Sequence, residues 1–216
     1  MIETTDPIPA TGDRYLLLAD ITGYTAFMAS VEQAHGVDFS GGLPAGFEVV
    51  GALLDTVIEG IRPDFEVAKL EGDAVFALAP AAGLDGRGDA VVGRLQTLYQ
   101  AFLERRAERA RAATDHICAA CPVVGTLDLK MVLHRGQVVR QAIGSHAEFL
   151  GPAVNVAHRL LKNSIQARLG YQPYLFVTDA AATGLDLAEP GVEHREDYAD
   201  VGPVNGRVVT LGTGLA

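Results

Sequence analysis

The stretch Tyr15-Leu16-Leu17-Leu18-Ala19-Asp20-Ile21-Thr22-Gly23-Tyr24-Thr25 decides how the chain is read. Seven residues from Tyr15 to Ile21 are apolar except for one aspartate, too short a run for a helix and bounded by Thr22-Gly23, which predicts a buried strand ending at a turn. A second segment has the same form: Lys69-Leu70-Glu71-Gly72-Asp73-Ala74-Val75-Phe76 places Asp73 beside a glycine between two apolar runs. Carboxylates are seldom buried unless they are paired or bind a metal. Each aspartate alone is explained by local structure, Asp20 capping the following helix and Asp73 serving a hairpin turn. Together they suggest a divalent-cation site of the kind that holds a nucleoside triphosphate for phosphoryl chemistry.

Outward from these strands, a helix is expected from Tyr24 to about His35, and a glycine-rich loop over Gly36 to Gly46. Helical periodicity then runs from Phe47 to Ile61, with Pro63 at its end. Phe65 to Leu70 and Ala74 to Ala79 are expected as strands joined tightly at Glu71-Gly72-Asp73, followed by a loop at Gly83 to Gly88 and a long helix from about Asp89 to Ala113. The segment Thr114 to Gly125 has no regular pattern. Leu127 to Leu133 and Gln137 to Ile143 are expected to pair through a hairpin at His134-Arg135-Gly136. Pro152 opens a helix predicted to reach about Leu169. Strands near Leu175 to Thr178, Val192 to Tyr198 and Arg207 to Leu211 complete the chain. The two tight strand pairs argue against a wholly parallel sheet. The fold class expected is α+β, with one mainly antiparallel sheet and helices largely on one face. Residues 1–13 form a flexible tail in this reading, and 14–216 a single domain.

Composition narrows the function classes. The 216 residues are 49% hydrophobic, ample for a core, but no apolar run is long enough to span a bilayer. Met1 to Asp13 lacks the basic and apolar regions of a signal peptide, so a cytoplasmic protein is expected, with its cysteines reduced unless they bind metal. A net charge of −10 disfavours a nucleic-acid backbone as partner. Anionic nucleotides stay admissible, because a bound cation reverses the local field. There is no Gly-x-x-x-x-Gly-Lys-Ser/Thr loop, Gly-x-Ser-x-Gly elbow or His-Glu-x-x-His helix.

Three further groups carry chemistry. Asn155 and Arg159, four residues apart on the expected helix, share one face near its start, where free N–H groups favour an anion. They could orient a ribose and stabilise charge on a transferring phosphoryl group, or simply form a solvated face. Lys69 lies inside an apolar segment, where it could donate to a purine acceptor while Glu148 accepts from an exocyclic amine; a strand lysine snorkelling at a sheet edge is the alternative. Cys118 and Cys121, with His116 close by, offer zinc ligands or a redox pair, or lie in a turn without a ligand role.

As an ordered set, these residues resemble the catalytic domain of class III adenylyl/guanylyl cyclases. Ala19 to Thr25 is similar to the first metal-aspartate motif and Lys69 to Val75 to the second, including the lysine that reads adenine. Leu133-His134-Arg135-Gly136 is similar to the strand turn that follows. Val154-Asn155-Val156-Ala157-His158-Arg159-Leu160 resembles the helix that supplies the ribose-orienting Asn and transition-state Arg. Glu148 stands where adenylyl cyclases usually have Asp. The resemblance implies a ferredoxin-like cyclase sandwich and two Mg²⁺ or Mn²⁺ ions on Asp20, Asp73 and the Ile21 backbone carbonyl. It also implies a head-to-tail homodimer, in which Lys69, Glu148, Asn155 and Arg159 come from the other subunit, and cyclisation of a purine nucleoside triphosphate, foremost ATP. The partners implied are that triphosphate and a second copy of the chain, with neither nucleic acid nor membrane.

Two departures accompany the resemblance. The hairpin between Gly144-Ser145 and Glu148 is several residues shorter than in most cyclases. The segment His116 to Cys121, together with His158-Arg159-Leu160-Leu161-Lys162-Asn163, resembles a bacterial branch of cyclase-like proteins with Cys-rich insertions. A catalytically silent nucleotide-binding or regulatory protein of this fold, zinc- or redox-responsive, is the alternative implied.

Overall fold

A computed structural model describes residues 11–35, 45–113, 121–170, 173–188 and 191–212. The strand around Asp20 is the centre of the molecule. It runs as β1 (Thr11–Thr22), buried on both faces, which is why its sequence is continuously apolar rather than alternating. On one side β1 pairs with β3 (Ala74–Pro80), which pairs in turn with β2 (Glu66–Glu71). On the other side it pairs along its whole length with β4 (Asp128–Ile143). The sheet continues through β6 (Tyr174–Thr178) and β8 (Gly202–Thr210) to β7 (Val192–Tyr198), and β5 (His146–Leu150) folds back on the end of β4. Every neighbouring pair is antiparallel except β4 with β6. The expected α+β fold is present: a mainly antiparallel sheet of 8 strands with helices packed on it.

Alternation along β1 sorts its side chains into two cores. Tyr15, Leu17, Ala19 and Ile21 face α1 (Tyr24–His35), α2 (Ala45–Ile61), α3 (Ala81–Leu84), α4 (Gly88–Ala113) and α7 (Asp179–Leu185). Leu16 and Leu18 face α5 (Pro152–Leu160) and α6 (Ile165–Leu169). The helices thus largely share one face, as expected, but α5 and α6 cover the other. Asp20 falls in the alternation of the α5 face.

Three expectations need correction. Thr11 to Asp13 belong to β1 rather than to a tail, and Asp13 is held by Arg135, with both Nε and Nη2 2.8 Å from its carboxylate. The predicted hairpin at His134-Arg135-Gly136 is absent, since β4 is one unbroken strand of 16 residues. The turn falls instead at Gly144-Ser145, where Gly144 has φ +62° and Ile143 pairs with His146. The helix from Pro152 breaks after Leu160, because the Asn163 side chain bonds the Leu160 carbonyl at 2.7 Å and Glu196 accepts from Ser164 N at 2.6 Å and Oγ at 2.7 Å.

Candidate active site

The register of β1 against β3 sets Asp20 opposite Ala74, the residue after Asp73. Ile21 N–H donates to the Asp73 carbonyl at 3.2 Å, and Gly72, at φ +66°, turns the chain between β2 and β3. Two carboxylates distant in sequence therefore meet at one corner of the sheet. Burial raises the Asp73 carboxyl above the ordinary carboxylate range, and the Asp20 charge raises it further, against the opposing influence of its own backbone N–H and of Lys130. Repulsion of this kind is relieved by a hard divalent cation, which Mg²⁺ sites meet with one or two carboxylates and ligand or water oxygens. Ile21, the third expected ligand, stands at the same corner. Among the described residues no three His, Cys, Asp or Glu side chains converge, so an ion here would complete its shell from backbone and ligand oxygens. The donor set fits Mg²⁺ or Mn²⁺.

Lys130 was not visible as part of this site in the sequence. It is the β4 partner of Asp20, with Nζ 2.9 Å from Oδ2, and it donates to the Leu161 carbonyl at 3.2 Å. The available signal was its place as the single basic residue in the apolar run Leu127 to Leu133, the same signal that singles out Lys69.

Lys69 points to the same face, its Nζ 5.8 Å from the centre of the Phe76 ring and 2.7 Å from Glu71 Oε1. The other oxygen of Glu71 lies 3.2 Å from His158 Nδ1, and the His158 ring packs on Phe76 at 5.1 Å. Burial lowers the His158 pKa, with Glu71 raising it and Lys69 lowering it. Glu148 stands on β5 opposite Gln141. The carboxylate that meets Lys69 within the chain is that of Glu71. Glu71 and His158 are therefore neighbours of Lys69 that the linear pattern did not single out.

On α5, Ala153, Val154, Ala157 and Leu160 are buried against the sheet, which leaves Asn155 and Arg159 exposed on the outer side. Both line an open groove of about 630 Å³ with His158, Lys162 and Asp200. Arg159 is ion-paired with Asp200, in the turn between β7 and β8. One chain thus displays two clusters on its α5 face: the carboxylates with Lys130, and the helix groove with Asn155 and Arg159. His116 and Cys118 lie outside the described residues, and Cys121 opens a 3-10 turn, Cys121–Thr126.

Residues 50–169 match the family described as "Protein of unknown function (DUF2652)". The chain belongs to this family. Over 168 residues it is 33% identical to the uncharacterized protein Rv2561/Rv2562 of Mycobacterium tuberculosis, covering 74% of this chain and 73% of that protein. Solved cyclases share its fold. The adenylyl cyclase CyaB from P. aeruginosa superposes with a TM-score of 0.68 at 14% identity, covering 92% of this chain and 94% of that one. The guanylyl cyclase Cya2 gives 0.67 at 14% identity, covering 94% of each chain. A bacterial light-regulated adenylyl cyclase gives 0.62 at 20% identity over 96% of this chain, which spans only 53% of that larger protein. This DUF2652 member is therefore a divergent chain with the class III cyclase fold. No helix among its described residues is long and apolar enough to cross a membrane.

Proposed function

We propose that the chain is a nucleotidyl cyclase that converts a purine nucleoside triphosphate, foremost ATP, to the 3′,5′-cyclic nucleotide and pyrophosphate. The observation that carries this reading is the meeting of Asp20 and Asp73 at one corner of the sheet, on the face covered by the helix bearing Asn155 and Arg159. Bound Mg²⁺ or Mn²⁺, two per site, would activate the ribose 3′-hydroxyl and neutralise phosphate oxygens. Asp20 and Asp73 would hold the ions, with the Ile21 carbonyl. Asn155 orients the ribose, and Arg159 stabilises charge on the phosphoryl oxygens as the 3′-oxygen bonds to the α-phosphorus and the bond to pyrophosphate breaks. Lys69 and Glu148 read the base. The two clusters complete each other across a head-to-tail homodimer. Among solved structures of the same fold, one guanylate cyclase domain is in complex with GTP and one rhodopsin-guanylyl cyclase core with converted specificity is in complex with ATPαS.

A second reading, a nucleotide-binding protein that does not turn over, is favoured by one observation. Lys69 and Arg159 are each engaged by an acid of their own chain, Glu71 and Asp200. Purified dimeric protein incubated with Mn²⁺ and each of ATP, GTP, CTP and UTP, with products resolved by mass spectrometry, separates the two. Cyclic product that disappears in Asp73→Ala and Arg159→Ala supports the enzyme; no cyclic product from any nucleotide, with binding retained, supports the silent protein.

A further inference from the structure

Lys130 is one of three lysines in the chain, with Lys69 and Lys162, and it is the one set against a carboxylate of the candidate metal site. Its placement is fixed from two sides. The β1–β4 register puts it beside Asp20, and its ammonium also donates to the Leu161 carbonyl at the end of α5, where the helix dipole favours a cation. The pair is well shielded, with only 22% of the lysine side chain and 18% of the aspartate exposed, so its charges are weakly screened. A divalent ion on Asp20 would face this ammonium at contact range, where like charges repel strongly. Lys130 occupies only Oδ2 of Asp20, so an ion on the other oxygen would still meet the ammonium's repulsion across one carboxylate.

The ammonium has somewhere to go. A cavity of about 60 Å³ with a mixed polar and apolar lining adjoins it, bounded by Lys130 itself with Asp128, Leu129, Asn163, Pro173 and Tyr174. That space admits a water-sized group, and an ammonium on a four-carbon stem is such a group, with three donors that re-aim by rotation. The Leu161 carbonyl, which already accepts from Nζ, borders the same cavity.

We propose that Lys130 is a two-position internal cation that competes with the divalent ion for Asp20, and that ion binding drives its ammonium off Asp20 into the adjoining cavity. This rests on the reading of Asp20 and Asp73 as the cation site. Lys130 acts through Asp20 as a positioning residue. It keeps the acidic corner neutralised and sets the threshold of ion concentration at which the corner loads.

The test is Mn²⁺ titration of nucleotide-free protein, following free Mn²⁺ by electron paramagnetic resonance. Lys130→Met and Lys130→Gln remove the competing charge and are expected to bind Mn²⁺ roughly tenfold tighter than wild type, while Lys130→Arg stays within about threefold. The wild-type chain gives an independent readout. With its lysines ¹³C-labelled at Cε, Mg²⁺ should shift the Lys130 resonance in step with saturation. Binding that depends on Asp73 but is equal or weaker in the Met and Gln variants, or a Lys130 resonance that stays still as Mg²⁺ binds, overturns the lysine proposal and leaves the cation site standing. Uptake no greater in wild type than in Asp73→Ala overturns both.

Discussion

His134 shows how little the identity of a residue says before its neighbours are known. The sequence pattern puts no catalytic role on it, and in the fold burial pushes its pKa down to about 4, with Asp13 only partly opposing, and Nδ1 lies 2.9 Å from Thr178 Oγ1. Its imidazole is neutral in the folded chain at neutral pH and clamps β4 to the end of β6. The unfolded chain takes up a proton at an ordinary pKa of about 6.5. The contribution of His134 is therefore fully present above that value and is lost as pH falls from about 6.5 toward 4. We expect thermal stability to decline over this interval by on the order of 2 kcal/mol more in wild type than in His134→Gln. Melting curves across pH check this, and parallel slopes for the two proteins would assign the acid sensitivity elsewhere. The same lesson holds at the site. Asp20, Asp73 and Lys69 were legible because each is a charge in an apolar run. Their partners Lys130 and Glu71, like Asp200 beside Arg159, were not, because pairing depends on strand register and on turns remote in sequence.

At the scale of elements, the periodic segments were legible and their interruptions were not. The helix Tyr24–His35 has the expected bounds because its apolar period and its burial coincide at Phe27 and Val31, whereas the strand Val192–Tyr198 has the expected bounds although its buried residues are the polar His194 and Glu196. The false hairpin at His134-Arg135-Gly136 has a tertiary cause. Arg135 bonds Asp13 and Asp85 and lies over the Tyr15 ring, while Gly136 makes room for α5. A Cβ at Gly136 would stand 2.7 Å from Ala153 Cβ, and neither atom can turn aside. Gly136→Ala should therefore push α5 outward, cost about 1–3 kcal/mol of stability, and misplace Asn155 and Arg159. Adding Ala153→Gly should recover nucleotide affinity more fully than stability, since glycine within a helix costs about 1 kcal/mol by itself. Melting and nucleotide titration of the single and double variants measure both. The break after α5 likewise depends on Glu196, far along the chain. Burial pushes its carboxyl upward, but bonds from His194 and from Ser164 N and Oγ outweigh this and leave it below the usual range. Glu196→Ala should destabilise the protein by about 1–3 kcal/mol, read by denaturant unfolding, since it strands the buried His194 and the half-buried Ser164 donors.

Across the whole molecule, the two clusters of the α5 face are tied within one chain through Lys130, which touches both Asp20 and the end of α5. The cyclase reading assigns these clusters to different active sites of a symmetric dimer. That arrangement has a quantitative consequence which a complete site in each chain does not share. Asp73→Ala spoils the carboxylate cluster and leaves α5 intact, whereas Arg159→Ala does the reverse. Each homodimer then carries two broken sites, but a mixed dimer carries one site with both defects and one with neither. Random assortment makes half the dimers mixed, so an equimolar mixture is expected to regain about a quarter of wild-type activity, where either variant alone shows almost none. Mixing under conditions of subunit exchange and measuring cyclic product per chain decides it. Recovery near that fraction requires the carboxylates and Arg159 of one working site to come from different chains; no recovery, with exchange verified, would place a complete site within each chain and remove the dimer from the mechanism.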